Sequence, residues 1–428
     1  MRTTTHLVRR SACAAALALV ATGVASVPAL AASTSPTTLA PSDGVGGDLF
    51  GESAATSTNG AVTVVGSPEH NSSGAVYVFT GTGTTFSQSA ELAPSNPQTD
   101  EQFGQAVAIS GDGKTLVAAA PGAAGTSGSD QGAAYVFTNQ NGTWTQTAIL
   151  AVPGTAELGT SLALSTDAST IVLGAPTSNS DNGEAFVFTK SGSTYVQTQE
   201  LTEPASAASS ANVQTPAKKK PTPPPPPATP AFLGDNTAIS SNGSTIAFGE
   251  PNVGVTDVFT KAAGAGTWTQ TAQLHGGGDS VAVSGSGTIV AAGQTGINNL
   301  NGAVFVFTES GSTFTEASEV LPPTNTTRAA FAAGSNVGIS ADGSVVAFGA
   351  PTASAGSAFE SGEVFVATKT SSGTWALTAT DAEPNPVSDD DLGGGDQSIA
   401  VTSNDTAIIA GARAANGETG QAIVFPVG

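Results

Sequence analysis

The side chains best placed to do chemistry are carboxylates and other polar groups that recur with a period. One polar residue follows each copy of a short Phe-Gly-like pair: Glu52, Gln105, Thr160, Asp235, Asp279, Ser335 and Gln397. Three of these are acids, and oxygens converging in this way suit a cation or a polyol. A second set of acids lies in the connections around those pairs: Asp43 and Asp48, Asp100 and Glu101, Glu157, and Asp389, Asp390 and Asp391. On a surface they form a solvated negative rim that steers cations or basic partners.

Other chemistries are poorly supplied. Cys13 and Met1 are the sole residues of their types, and both lie in the first 31 residues. Beyond that point there is no thiolate nucleophile, disulfide or Cys-based metal site. The later histidines, His70 and His275, occupy non-equivalent positions. No Ser-His-Asp order, H-E-x-x-H pattern or Cys–His pair is present. Arg328 and Arg413 are the only arginines past residue 31, so oxyanion clamps are scarce. A pair of acids such as Asp235 and Asp279 remains an alternative, acting on a polysaccharide as glycosidase carboxylates do. Neither a metal site nor a cofactor is predicted.

The chain has 428 residues, with 12 basic and 33 acidic side chains and a formal charge of −21. Such a balance excludes phosphate-backbone binding, which needs clustered Lys and Arg. Arg2, Arg9 and Arg10 precede an Ala/Leu/Val-rich stretch at 11–28, and Ala29-Leu30-Ala31 forms an A-x-A site. Residues 1–31 therefore read as a secretory signal peptide, and the protein as extracellular. Removing them takes away three Arg and leaves 9 − 33 = −24. No membrane span follows in residues 32–428, which are expected to form one monomeric domain.

What positions the polar residues is a repeat. One copy runs Phe103-Gly104, Ala106 to Ser110, Asp112-Gly113, Leu116 to Pro121, Ala133 to Thr138 and Trp144 to Leu150. The phenylalanine of its V-F-T run recurs at Phe79, Phe137, Phe188, Phe259, Phe307 and Phe425, with Ala367 in its place once. The span from 79 to 425 is 346 residues in six steps, about 58 per repeat. Asn59-Gly60, Asp112-Gly113, Asn242-Gly243 and Asp342-Gly343 separate the first two runs and suit the turns of β-hairpins. Run one alternates bulky Val107/Ile109 with small Ala106/Ala108, which fits a strand buried on both faces. The prediction is an all-β, seven-bladed β-propeller of four-stranded antiparallel blades. The last unit is one strand short. Leu39-Ala40-Pro41-Ser42 matches Leu92-Ala93-Pro94-Ser95, so the N-terminal segment should complete blade seven and close the ring.

Phe50-Gly51 and Phe103-Gly104, with Gly174-Ala175-Pro176 and Gly349-Ala350-Pro351, make the units resemble the FG-GAP repeat of integrin alpha-chain propellers and of many secreted bacterial proteins. The resemblance implies a propeller, and in many members a calcium loop of spaced aspartates between strands one and two. Here that turn holds only Ser110-Gly111-Asp112-Gly113 or Ser340-Ala341-Asp342-Gly343. One Asp cannot supply six to eight oxygens, so calcium is not expected.

An insertion at 204–231, with Lys218-Lys219-Lys220 and Pro223 to Pro227, interrupts the units between blades three and four and reads as a solvated polyproline loop. Strand order puts turns 1–2 and 3–4 on one face and the longer connections 2–3 and 4–1 on the other. The long-loop face is where binding residues are expected. The aromatics opening strand four (Phe86, Trp144, Tyr195, Trp268, Phe314 and Trp375) suit blade packing better than sugar stacking. The functional expectation is a secreted, non-catalytic recognition or scaffold module for a surface glycan or protein. A polysaccharide-acting enzyme and a ligand-free structural protein are the alternatives.

Overall fold

The computed structural model describes residues 35–83, 85–124, 130–202, 232–323 and 333–427. Residues 1–31, expected to be a signal peptide, and 204–231, expected to be a proline-rich loop, lie outside the described residues. Seven four-stranded antiparallel sheets form the blades of a propeller. Blade one comprises Ala54–Thr56, Val62–Ser67, Ala75–Thr82 and Thr85–Leu92. Blades two to six repeat that order, beginning at Val107, Leu162, Asn236, Ser280 and Val337. In blade seven, Ile399–Val401, Ala407–Ala412 and Gln421–Pro426 are joined by Thr37–Leu39, which pairs with the last strand in the register Thr37↔Val424 and Leu39↔Ala422.

The core sits in the seams. Seven apolar clusters each join two neighbouring blades, such as Val64 and Val76 with Val107 and Leu116 between blades one and two. With both faces covered, strand two is buried along its whole length in blades two, three, four and six.

The two glycine-bearing signatures meet at these seams. Gly174 opens the G-A-P of blade three, and a Cβ there would lie 1.9 Å from the carbonyl oxygen of Gly234, the F-G glycine of blade four. The same approach recurs at Gly66–Gly104, Gly293–Gly334 and Gly411–Gly51. Ser53, Ser161 and Ser280 donate from Oγ to the F-G carbonyl of the next blade at 2.7–2.8 Å, tying the seam from the other side.

Strand four carries one extra residue opposite the V-F-T run. Val78 pairs with Ala90 but Phe79 pairs with Gln88, leaving Ser89 as a bulge, and six blades share this shift. Ser89, Thr147, Thr198, Thr271 and Thr378 turn their hydroxyls back onto the strand-three valine carbonyl. This bends the outer strand and adds twist. The opening aromatics are structural: Trp268 and Trp375 donate from Nε1 to the turn carbonyls of Gly243 and Gly343 in their own blades. Lys261 and Lys369 cover those rings at 3.9 and 4.8 Å.

Candidate functional site

Strand one of each blade faces a central channel of about 260 Å³, walled by residues such as Ala54, Val107, Leu162, Ala238, Val281 and Val337. The walls are mostly apolar, so polar chemistry is confined to the mouth. The short-turn end offers little, because each turn consumes its own polar groups. Ser110 Oγ accepts from Thr115 N and donates to Asp112 at 2.6 Å, and the latter bond holds the Asp112 carboxyl below its ordinary range. Ser165/Asp167, Ser240/Asn242 and Ser340/Asp342 repeat the arrangement. The fourth residue of the turn takes positive φ, 69° to 75° at Gly113, Gly243 and Gly343 and 56° and 59° at Ala168 and Asp405.

At the long-loop mouth the structure brings several of the sequence-selected residues together. Glu52 is 2% exposed, and Arg413 Nη1 donates to both of its oxygens at 3.2 and 3.0 Å. Arg413 Nε donates to Asp391 Oδ2 at 2.8 Å. Burial works against the Arg413 charge, but Glu52 and Asp391 outweigh it and hold the guanidinium firmly protonated. Glu52 is raised above its ordinary range by burial and by the Asp396 carboxylate, with Arg413 opposing. Gln105 Nε2 bridges Glu52 Oε1 and Asp396 Oδ2, and the Asp396 amide donates to Glu52 Oε1 at 3.2 Å. Asp235 is pushed up to about 6 by burial and then by the charges of Asp396 and Asp279. Asp279 Oδ2 accepts from both the amide and the hydroxyl of Thr295 at 2.6 Å.

The other three stand apart from this group. Gln397 reaches across the channel and donates to the Leu162 carbonyl at 3.2 Å, narrowing the opening. Thr160 turns back to the Glu157 carbonyl at 2.9 Å. It borders a separate recess of about 370 Å³ with Asp100, Gln105, Asp130 and Glu157. Ser335 donates to the Gly393 carbonyl at 3.1 Å.

The acidic rim needs correction. Asp100 and Asp389 are exposed, but Glu101 is 0% and Asp390 4% exposed, and Asp391 is engaged with Arg413. Asp48, Glu101 and Asp390 stand two residues ahead of the F-G position and each accepts the amide three residues back, from Val45, Gln98 and Val387. They close the 4–1 connections from inside. Tyr135 also donates its hydroxyl to Glu101 at 3.1 Å.

Sequence reasoning missed Asp396 and Arg413. Asp396 belongs to Gly394-Gly395-Asp396, extra residues between Gly393 and Gln397 that an alignment of repeats steps over. Arg413 has no counterpart at other blades, and its rarity was the only available signal.

The same face carries exposed apolar side chains. Val45, Val253, Leu300, Leu321, Phe359 and Val387 are 40–62% exposed and all lie in 2–3 or 4–1 connections. Among the described residues, no helix is long and apolar enough to cross a membrane.

Residues 34–79 and 86–137 match the FG-GAP repeat. No curated protein matches the chain in sequence. Among solved structures, the Cps50 (Swd1) β-propeller domain of Myceliophteria thermophila aligns with a TM-score of 0.58 at 10% identity, covering 92% of this chain and 100% of that one. A protein described as "a putative 6-phosphogluconolactonase" from Bacteroides fragilis aligns at 0.51 and 12%, over 79% and 85% of the two chains. At these identities the likeness is one of fold alone.

Proposed function

We propose that this FG-GAP propeller is an extracellular, non-catalytic recognition or scaffold module that docks a partner on its long-loop face. The observation that carries this is the concentration of exposed apolar side chains there. Val45, Val253, Leu300, Leu321, Phe359 and Val387 stand among acids such as Asp100 and Asp389. Apolar groups set in a polar surround are the usual composition of a protein-binding patch. A surface protein with basic character fits better than a glycan, because of those six only Phe359 is aromatic and the repeated rings are packed in their blades.

The test is retention of residues 32–428 on the producer's own cell envelope and on a panel of insoluble polysaccharides, near 0.15 M salt. Saturable retention on envelope protein is expected, with Leu300→Asp and Val387→Asp each weakening it at least about tenfold. Retention that ignores both substitutions refutes the docking face, and retention on a polysaccharide alone would make the ligand a glycan.

A second reading has one observation in its favour. Asp235, raised to about 6, stands beside Asp279, whose carboxylate accepts two hydrogen bonds from Thr295. Paired acids in unlike surroundings are a common acid–base arrangement. A hydrolysis screen over polysaccharides at pH 5–7 that stays blank removes it.

A further inference from the structure

Away from the channel, a cluster of a different chemistry lies where the segment after Thr37–Leu39 meets blade one. His70 sits in the connection between strands two and three of blade one and is 4% exposed. Its Nδ1 lies 2.9 Å from Asp48 Oδ2. An ionised carboxylate can only accept, so Nδ1 is the donor of this pair; in the neutral imidazole Nε2 then carries the lone pair, which accepts from the Asn71 amide. That lone pair faces two further carboxylates, Asp43 Oδ2 at 3.7 Å and Glu91 Oε1 at 3.7 Å. Such distances are too long for hydrogen bonds. They are close to the ~3.4 Å that separates two ligand atoms each ~2.1 Å from a tetrahedral ion. The three ligand atoms all lie within 4.8 Å of one another.

The surroundings fit the same use. The Tyr77 hydroxyl donates to Asp43 Oδ1 at 2.9 Å, which fixes that carboxylate with its other oxygen toward the imidazole. Asp43 and Glu91 both turn a carboxylate oxygen toward the imidazole, so a cation between the two would offset the repulsion of like charges. Asn71 donates its amide to Nε2 at 2.7 Å from an exposed side chain, a contact an ion would displace. A carboxylate behind a ligating histidine is the common outer-shell arrangement, and Asp48 supplies it.

We propose that Asp43, His70 and Glu91 bind a divalent ion of the zinc class, with water completing the coordination. Imidazole with two carboxylates suits borderline ions, whereas calcium and magnesium take oxygen donors. The ion has a structural consequence. Asp43 follows Thr37–Leu39, the strand belonging to blade seven, while His70 and Glu91 belong to blade one. The metal therefore clamps the closing segment across the seam built by Leu39, Phe50, Tyr77 and Val424.

The test uses the full chain, stripped of metal with a chelator and titrated with Zn²⁺ against a chromophoric competitor. Co²⁺ then reports coordination through its visible absorption. One saturable equivalent is expected. Asp43→Asn and Glu91→Gln alter partly exposed residues, and each should weaken binding at least about tenfold while keeping the native circular dichroism. His275→Ala should bind as the parent does. Zn²⁺ should also slow amide exchange at Thr37–Leu39 in the parent but not in Glu91→Gln. The absence of saturable binding overturns the site, as expected if His70 serves as a protonated counterion instead. Unchanged affinity in both carboxylate variants also overturns it, and so does a preference for Ca²⁺. Binding without added protection at Thr37–Leu39 overturns the clamp.

Discussion

Asp235→Asn should stabilise the protein at neutral pH and leave it unchanged in acid. Burial and the charges of Asp396 and Asp279 raise the Asp235 carboxyl from 3.8 to about 6 in the fold. A carboxyl raised on folding binds more protons native than unfolded, so stability falls as pH climbs from about 4 to about 6. The difference, 6 − 3.8, is about 2.2, and at 1.36 kcal/mol for each pH unit the native state loses at most about 3 kcal/mol above pH 7. Asp235 retains some exposure, so about 2 kcal/mol is the working figure. Asparagine keeps the shape and cannot ionise. Urea unfolding followed by fluorescence of Trp144, Trp268 and Trp375 should show the variant more stable by about 2 kcal/mol at pH 7.5, with equal slopes, and indistinguishable near pH 3.5. Equal midpoints at both pH values would refute the argument, because Asp235 would then be solvated and the mouth acids would not share a field.

Gly174→Ala tests the seam. Its Cβ would begin 1.9 Å from the Gly234 oxygen, so two backbones must part by 3.0 − 1.9 = 1.1 Å before the contact is even tolerable. With the Ser161–Gly234 bond strained as well, about 3 kcal/mol should be lost in urea unfolding. Gly266→Ala, with open space at its Cβ, should change stability by less than about 0.5 kcal/mol. Arg413→Met should cost about 3 kcal/mol at pH 7 by leaving Glu52 buried and unpaired. Glu52, already raised in the parent, then titrates higher still, so the cost should shrink as pH falls from neutrality through that raised range, and Glu52→Gln in the same chain should recover most of it. Independent, additive effects of the two substitutions would break the pairing.

The fold was legible because it repeats. Phe103-Gly104 and G-A-P mark a place in the seams where two backbones touch, so glycines recur there in most units. The missing strand of the last unit, with its match at Leu39 to Ser42, anticipated the pairing of Thr37–Leu39 with residues 422–424. The site was less legible, since its geometry departs from the repeat. Asp396 sits on extra residues, Arg413 occurs once, and His70 has no equivalent, so none emerged from a periodic reading. Glu101 and Asp390 misled for the opposite reason. They recur in acidic surface-like segments, yet each is turned inward by a backbone amide three residues away.

The short closing strand also sets how the ring answers to force. Thr37 lies opposite Val424, so the chain enters blade seven and leaves it at the same edge of the sheet. Tension between a tether before residue 37 and one after residue 427 would pull that pairing apart from its end. Thr37–Val424 would open first, then Thr38–Ile423, then Leu39–Ala422, one rung at a time. Loading the rungs singly needs far less force than sliding them all together, so the propeller should open at this seam while the six blades of continuous chain stay intact.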